Sequence, residues 1–123
     1  MTIEERAYIA GLFDGEGSCS FVYRKASKNG KRYGRLEAKI TNCDKPVLDW
    51  VAQSFGSGGV YLGGHVGVVG RRQAYNFMVS NEQARKFLRA ILPYLLVKRT
   101  RAEELLELDS ITVKRRIKEV PAA

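Results

Sequence analysis

The chain is poor in the residues that build metal cages and disulfide frameworks. It holds one histidine and two cysteines in 123 residues. Cys19 and Cys43 are far apart in sequence and form no C-x-x-C pair, which excludes a zinc site of the usual Cys/His kind. Both are expected as free thiols, because a disulfide would require strand pairing to bring them together. Long apolar runs are also missing. None approaches the roughly 18 residues of a membrane-crossing helix, so no membrane partner is expected. The first ten residues, MTIEERAYIA, carry acids where a secretory signal carries bases. An intracellular protein is expected, in a compartment that composition does not name. Acidic residues are scarce as well, 13 against 21 Lys and Arg, which leaves a net charge of +8. What remains is ordinary for a folded protein. The chain is 45% hydrophobic, with six tyrosines, five phenylalanines and one tryptophan, which excludes disorder. Its length suits one core rather than two.

The basic residues are not spread evenly. Residues 21–45 hold Arg24, Lys25, Lys28, Lys31, Arg32, Arg35, Lys39 and Lys45 against only Glu37 and Asp44. A concentration of this kind suits a polyanion such as nucleic acid. Residues 85–118 are also basic, but acids are interleaved there.

Local signals divide the chain into helices and strands. Thr2 and Glu5 form a T-x-x-E capping box that starts a first helix. That helix is apolar on most of its circumference, so burial on most sides is expected. Gly17 is expected to end it in the left-handed conformation. SCSFVYRKASK (18–28) alternates, Asn29-Gly30 signals a turn, and YGRLEAKITN (33–42) alternates again. Cys19, Phe21, Leu36, Ala38 and Ile40 fall on one face of this hairpin. Arg24, Lys28, Tyr33, Arg35, Glu37, Lys39 and Thr41 fall on the other. Asp44 caps a second helix with Pro46 in its first turn and Gly56 at its end. A glycine-rich stretch, GSGGVYLGGHVGVVGRRQ, follows with no GK[ST] of a phosphate loop. It reads as the strands and tip of a second hairpin, with His65 at the tip. AYNFMVS (74–80) is a fourth strand. Ser80 or Asn81 caps a third helix that Pro93 breaks. A fourth helix is expected from about Tyr94 to Asp109, with 110–123 as a basic tail.

One stretch resists this local account. YIAGLFDGEGS (8–18) ends a helix with Asp14 and Glu16 set among three glycines. Carboxylates sit at the unfavourable end of the helix dipole there. Gly11 and Gly15 each cost about 1 kcal/mol relative to alanine inside a helix. Residues 9–17, IAGLFDGEG, match the nine-residue motif of the LAGLIDADG homing endonucleases position by position. Ile9, Phe13, Gly15 and Glu16 are close replacements for the motif's leucine, isoleucine, alanine and aspartate. The element order fits as well, so the chain resembles that family over nearly its whole length.

The resemblance implies an α+β fold of order α-β-β-α-β-β-α, with a four-stranded antiparallel saddle sheet and helices on one face. Members with one motif resemble half-enzymes that pair as homodimers, here through Ala7, Gly11, Asp14 and Gly15 on the motif helix. The implied activity is site-specific cleavage of double-stranded DNA by Mg²⁺- or Mn²⁺-dependent phosphodiester hydrolysis. Glu16 would hold the metal, with the Gly15 backbone carbonyl as a weaker ligand. Asn42, where the family often has glutamine, would order water near the nucleophile. Lys98, in PYLLVKRT (93–100), would stabilise charge at the scissile phosphate. Pro46 stands where the family carries a basic residue, with Lys45 beside it. The polar sheet face would enter the major groove, with Arg24, Lys28, Tyr33, Arg35, Glu37, Lys39, Arg72 and Asn76 against DNA. At about 3.3 Å per residue, strand 18–28 spans roughly 36 Å. That length faces about ten base pairs, so a dimer would cover about 20. Alternatives of other kinds are an RNA-splicing maturase, a non-cleaving DNA-binding protein of the same fold, and a structural protein. The last would have no need of so basic a strand face.

Overall fold

A computed structural model describes residues 1–25, 32–64 and 69–119. For Arg24, Lys25, Arg32, Tyr33 and residues 115–119 it describes the backbone alone. The element order is α1 (Ile3–Glu16), β1 (Gly17–Lys25), β2 (Arg32–Asn42), α2 (Lys45–Phe55), β3 (Gly59–Leu62), β4 (Tyr75–Ser80), α3 (Asn81–Ile91), a 3₁₀ turn (Leu92–Tyr94) and α4 (Arg99–Glu119). The four strands form one antiparallel sheet in the order β1-β2-β4-β3. The α+β expectation holds in class, element order and pairing. Lys28 and His65 lie outside the described residues.

The local signals act as read. Thr2 Oγ1 accepts from the Glu5 N–H at 3.1 Å, and Glu5 Oε1 accepts from the Thr2 N–H at 3.0 Å. Asp44 Oδ1 accepts from the Val47 N–H at 3.1 Å, Pro46 sits in the first turn of α2, and Gly56 closes that helix at φ 90°. The positive φ is open to glycine without a Cβ penalty.

Alternation along the strands sorts the sheet into two faces. Leu36, Ala38, Ile40, Phe77 and Val79 point to the helices and are buried. Phe87 of α3 joins the layers. Its ring lies 6.1 Å from Phe13 of α1, 5.2 Å from Phe55 of α2 and 5.3 Å from Phe77 of β4. Such pairs add about 0.5–1.5 kcal/mol each beyond their buried area. All four helices contribute to the core on this side, and the opposite face of the sheet is left uncovered by them.

Three expectations fail. Gly17 is extended, at φ −93° and ψ 165°, rather than left-handed. It is the first residue of β1, and a Cβ there would overlap the Phe13 ring. Space selects this glycine, not backbone freedom. Nor is α1 buried on most sides. Ile9, Ala10 and Phe13 are buried, while Ile3, Ala7, Tyr8, Gly11 and Gly15 are exposed. The sheet and α3 cover only one side of the helix. Finally, the fourth helix starts at Arg99 rather than Tyr94 and continues through Asp109 to Glu119. Residues 110–119 are therefore helix rather than a separate tail. No glycine or proline interrupts them before Pro121, and Asp109 is a buried mid-helix residue. Its carboxylate accepts from Arg85 Nε at 2.6 Å and ties α4 to α3. This contact holds the Arg85 guanidinium above its ordinary pKa.

Candidate active site and nucleic-acid interface

Residues from three distant segments meet where α1 runs into β1. Glu16 is the last residue of α1 and is exposed. Asn42 is the last residue of β2, and its Nδ2 donates to Glu16 Oε2. The Asp44 N–H donates to Asn42 Oδ1 at 2.7 Å. An N–H on the oxygen side fixes which way the amide faces, so the nitrogen is the end turned toward Glu16.

The carboxylate of Asp14 has another task. Its Oδ2 accepts from the Leu96 N–H at 2.7 Å and its Oδ1 from the Lys98 N–H at 2.9 Å. Asp14 thereby pins the segment between the 3₁₀ turn and α4 against the end of α1. This pinning displaces the start of α4 to Arg99. Lys98 is held in turn, its Nζ donating to the Phe13 carbonyl at 3.1 Å and to the Gly17 carbonyl. A cation at the C-terminal carbonyls of a helix is favourable. It also places a positive charge within one turn of Glu16.

Burial raises the Asp14 carboxyl pKa, but the N–H groups of Leu96, Lys98 and Val97 and the Lys98 charge outweigh it. The net direction is below the ordinary aspartate value. A lowered folded-state value means the contribution to stability is present above the unfolded pKa of about 4. It is lost as pH falls through the folded value. Asp14→Asn is therefore expected to destabilise the chain at pH 7. The gap to wild type should narrow progressively as pH falls below about 4 in thermal or urea melts. A gap that stays constant with pH would contradict this role.

A hard cation such as Mg²⁺ keeps several waters and takes one or two carboxylates plus substrate phosphates. Exposed Glu16 offers an oxygen donor suited to that use. The carbonyl of Gly15 belongs to the last turn of α1, where carbonyls lack intrahelical partners. Among the described residues no three His, Cys, Asp or Glu gather into a metal cluster. A fully protein-built cage is thus excluded among them, while a site shared with phosphate and water fits.

The opposite sheet face carries the proposed readers. Arg35, Glu37, Lys39 and Thr41 alternate along β2, and Asn76, Met78 and Ser80 oppose them from β4. Arg24 and Tyr33 pair across β1 and β2 at the far end of that face. Arg72 is exposed, on the loop before β4 rather than on a strand. Sequence reasoning placed Thr41 on this face but overlooked Ser80, Tyr61 and Met78. Period-two alternation extended through β3 and β4 finds all three. Cys19 and Cys43 are free thiols. Burial pushes the Cys19 thiol pKa up, against the lowering charges of Arg101 and Lys98.

The fold around these residues is similar to that of solved homing endonucleases. Homing endonuclease I-CvuI, crystallised on an I-CreI target with magnesium and uncleaved DNA, matches with a TM-score of 0.74 at 20% identity. The match covers 87% of this chain and 66% of that one. The archaeal intron-encoded homing endonuclease I-Vdi141I, complexed with DNA, matches at 0.72 and 21% identity over 90% of this chain and 70% of that one. The I-SmaMI LAGLIDADG homing endonuclease bound to cleaved DNA matches at 0.76 and 14% identity, over 90% of this chain and 37% of that one. This chain thus spans just under two thirds of I-CvuI and little more than a third of I-SmaMI. No family sequence model and no curated protein sequence matches it. The fold is that of the LAGLIDADG homing endonucleases. The nine residues that carry the sequence resemblance form the end of α1 and its junction with β1.

Proposed function

We propose that the chain is one half of a site-specific DNA endonuclease that works as a homodimer and hydrolyses phosphodiesters with Mg²⁺. The observation that carries this reading is the state of Gly11 and Gly15. A Cβ built at either meets nothing within 4 Å, and neither has a positive φ. Nothing inside the chain requires glycine at these positions, yet together they cost α1 about 2 kcal/mol relative to alanine. They lie one turn apart on the exposed side of α1, with Ala7 one turn earlier, and so share a stripe. A partner helix at close range accounts for them, and a second copy of α1 on a two-fold axis is the simplest one. Leu96 and Val97, exposed beside the same helix end, add apolar surface for that contact.

Pairing through this stripe would bring two copies of Glu16 together at the centre of the sheet surface. Bound there, Mg²⁺ polarises the phosphoryl oxygen, lowers the pKa of an attacking water and neutralises the leaving oxygen. Glu16 holds the cation, and Asn42 holds Glu16 and offers its second amide hydrogen to water. Lys98 keeps one ammonium hydrogen beyond the two spent on carbonyls and sets a positive charge near the phosphate. Lys45, beside Pro46, is turned away from this task by its ion pair with Asp49 at 2.9 Å. The sheet face lies in the major groove of a pseudo-palindromic site of about 20 base pairs.

A cleavage selection on randomised duplexes with Mg²⁺ tests the proposal. Recovered sites should have two-fold related halves of about ten base pairs, and chelation should stop cutting. Specific binding without cutting would favour a non-cleaving DNA-binding protein, and preference for structured RNA a maturase.

A further inference from the structure

Three side chains on the polar face form a cluster whose parts differ in depth. Ser80 and Glu37 are directly opposed on β4 and β2, and both touch Arg35. Arg35 Nη2 donates to Ser80 Oγ at 2.9 Å. Arg35 Nε is buried and lies 3.4 Å from Glu37 Oε1, an ion-pair contact without hydrogen-bond geometry. The arginine side chain keeps 39% of its exposure and the glutamate only 17%. The guanidinium is therefore the outer layer and the carboxylate the inner one.

A guanidinium has five N–H donors along fixed edges. Nε and Nη2 share one edge, and that edge is the one facing Glu37 and Ser80. The end formed by Nη1 and the second Nη2 hydrogen has no described partner. Two parallel donors are what guanine O6 and N7 accept in the major groove. A carboxylate beneath the arginine also neutralises part of its charge, so a merely phosphate-seeking arginine would gain nothing from it.

Resting on the DNA-reading role proposed above, we infer that Glu37 and Ser80 are positioning residues rather than readers of bases. They hold Arg35 end-on, so that it selects guanine at one position of each half-site. Glu37 then sets no base preference of its own. A carboxylate that read DNA directly would select cytosine N4 instead.

The test is a binding-specificity profile on randomised duplexes, with the full chain and its Arg35→Ala, Glu37→Gln and Ser80→Ala variants. Arg35→Ala should lower guanine preference at one mirrored pair of positions by roughly ten- to a hundredfold. Glu37→Gln and Ser80→Ala should relax that same pair, by less. The double variant Arg35→Ala/Glu37→Gln should lose no more than Arg35→Ala alone. Thermal melts confirm that each variant is folded, and Ser80→Ala gives a second route should Glu37→Gln be unstable. Loss of preference at a different base pair in Glu37→Gln would make Glu37 a reader and overturn the inference. So would an unchanged guanine preference in both supporting variants. A wild-type chain with no base preference at all would instead overturn the DNA-reading role itself.

Discussion

Glu16→Gln is expected to stop DNA cleavage while leaving binding to the selected duplex within a few-fold of wild type. The substitution keeps size and hydrogen-bonding shape and removes the charge that holds a hard cation. A metal at this step supplies several kcal/mol of transition-state stabilisation, so the single-turnover rate should fall roughly a thousandfold. Binding should persist because the side chains proposed to meet the groove are unchanged. The effect on the fold should be small, since Glu16 is exposed and makes one described side-chain contact, to Asn42. Near-normal Mg²⁺-dependent nicking by the variant would remove Glu16 from the metal site.

Gly11→Leu and Gly15→Leu should separate assembly from folding. Each position is open within the chain, and leucine is a better helix former than glycine by nearly 1 kcal/mol. The isolated chain should therefore fold and melt no lower than wild type. Two helices that must touch at these positions can no longer do so, and cleavage should be lost with the dimer. Sedimentation at micromolar concentration, with and without DNA, reads the result. A wild-type chain that is monomeric in both conditions, or a variant that dimerises and cuts normally, would overturn the half-enzyme proposal.

What the sequence makes legible here is what lies within a few residues of its cause. The Thr2–Glu5 box, the Asp44 cap, the Gly56 stop and the strand alternation are each written in neighbouring positions. Asn42 at the end of β2 and Glu16 at the end of α1 follow from the same local boundaries. The start of α4 does not, because it depends on Asp14 accepting from Leu96 and Lys98, more than 80 positions away. Gly17 was misread for a related reason. Its glycine answers to the Phe13 ring, which local capping rules do not weigh. The role of Glu37 was hidden too, since alternation gives the face of a residue but not its depth beneath a longer neighbour.

The long reach of Asp14 bears on when the proposed site becomes complete. Its two backbone partners lie 82 and 84 positions away, beyond both hairpins, α2 and α3 in the chain. Closing so long a loop is entropically costly and is repaid late. Lys98 is carried to the end of α1 by that same closure. A chain with α1 and the first hairpin formed but this contact open has Glu16 and Asn42 in register and lacks the lysine. On the function proposed above, the site is therefore complete only once the last segment has docked.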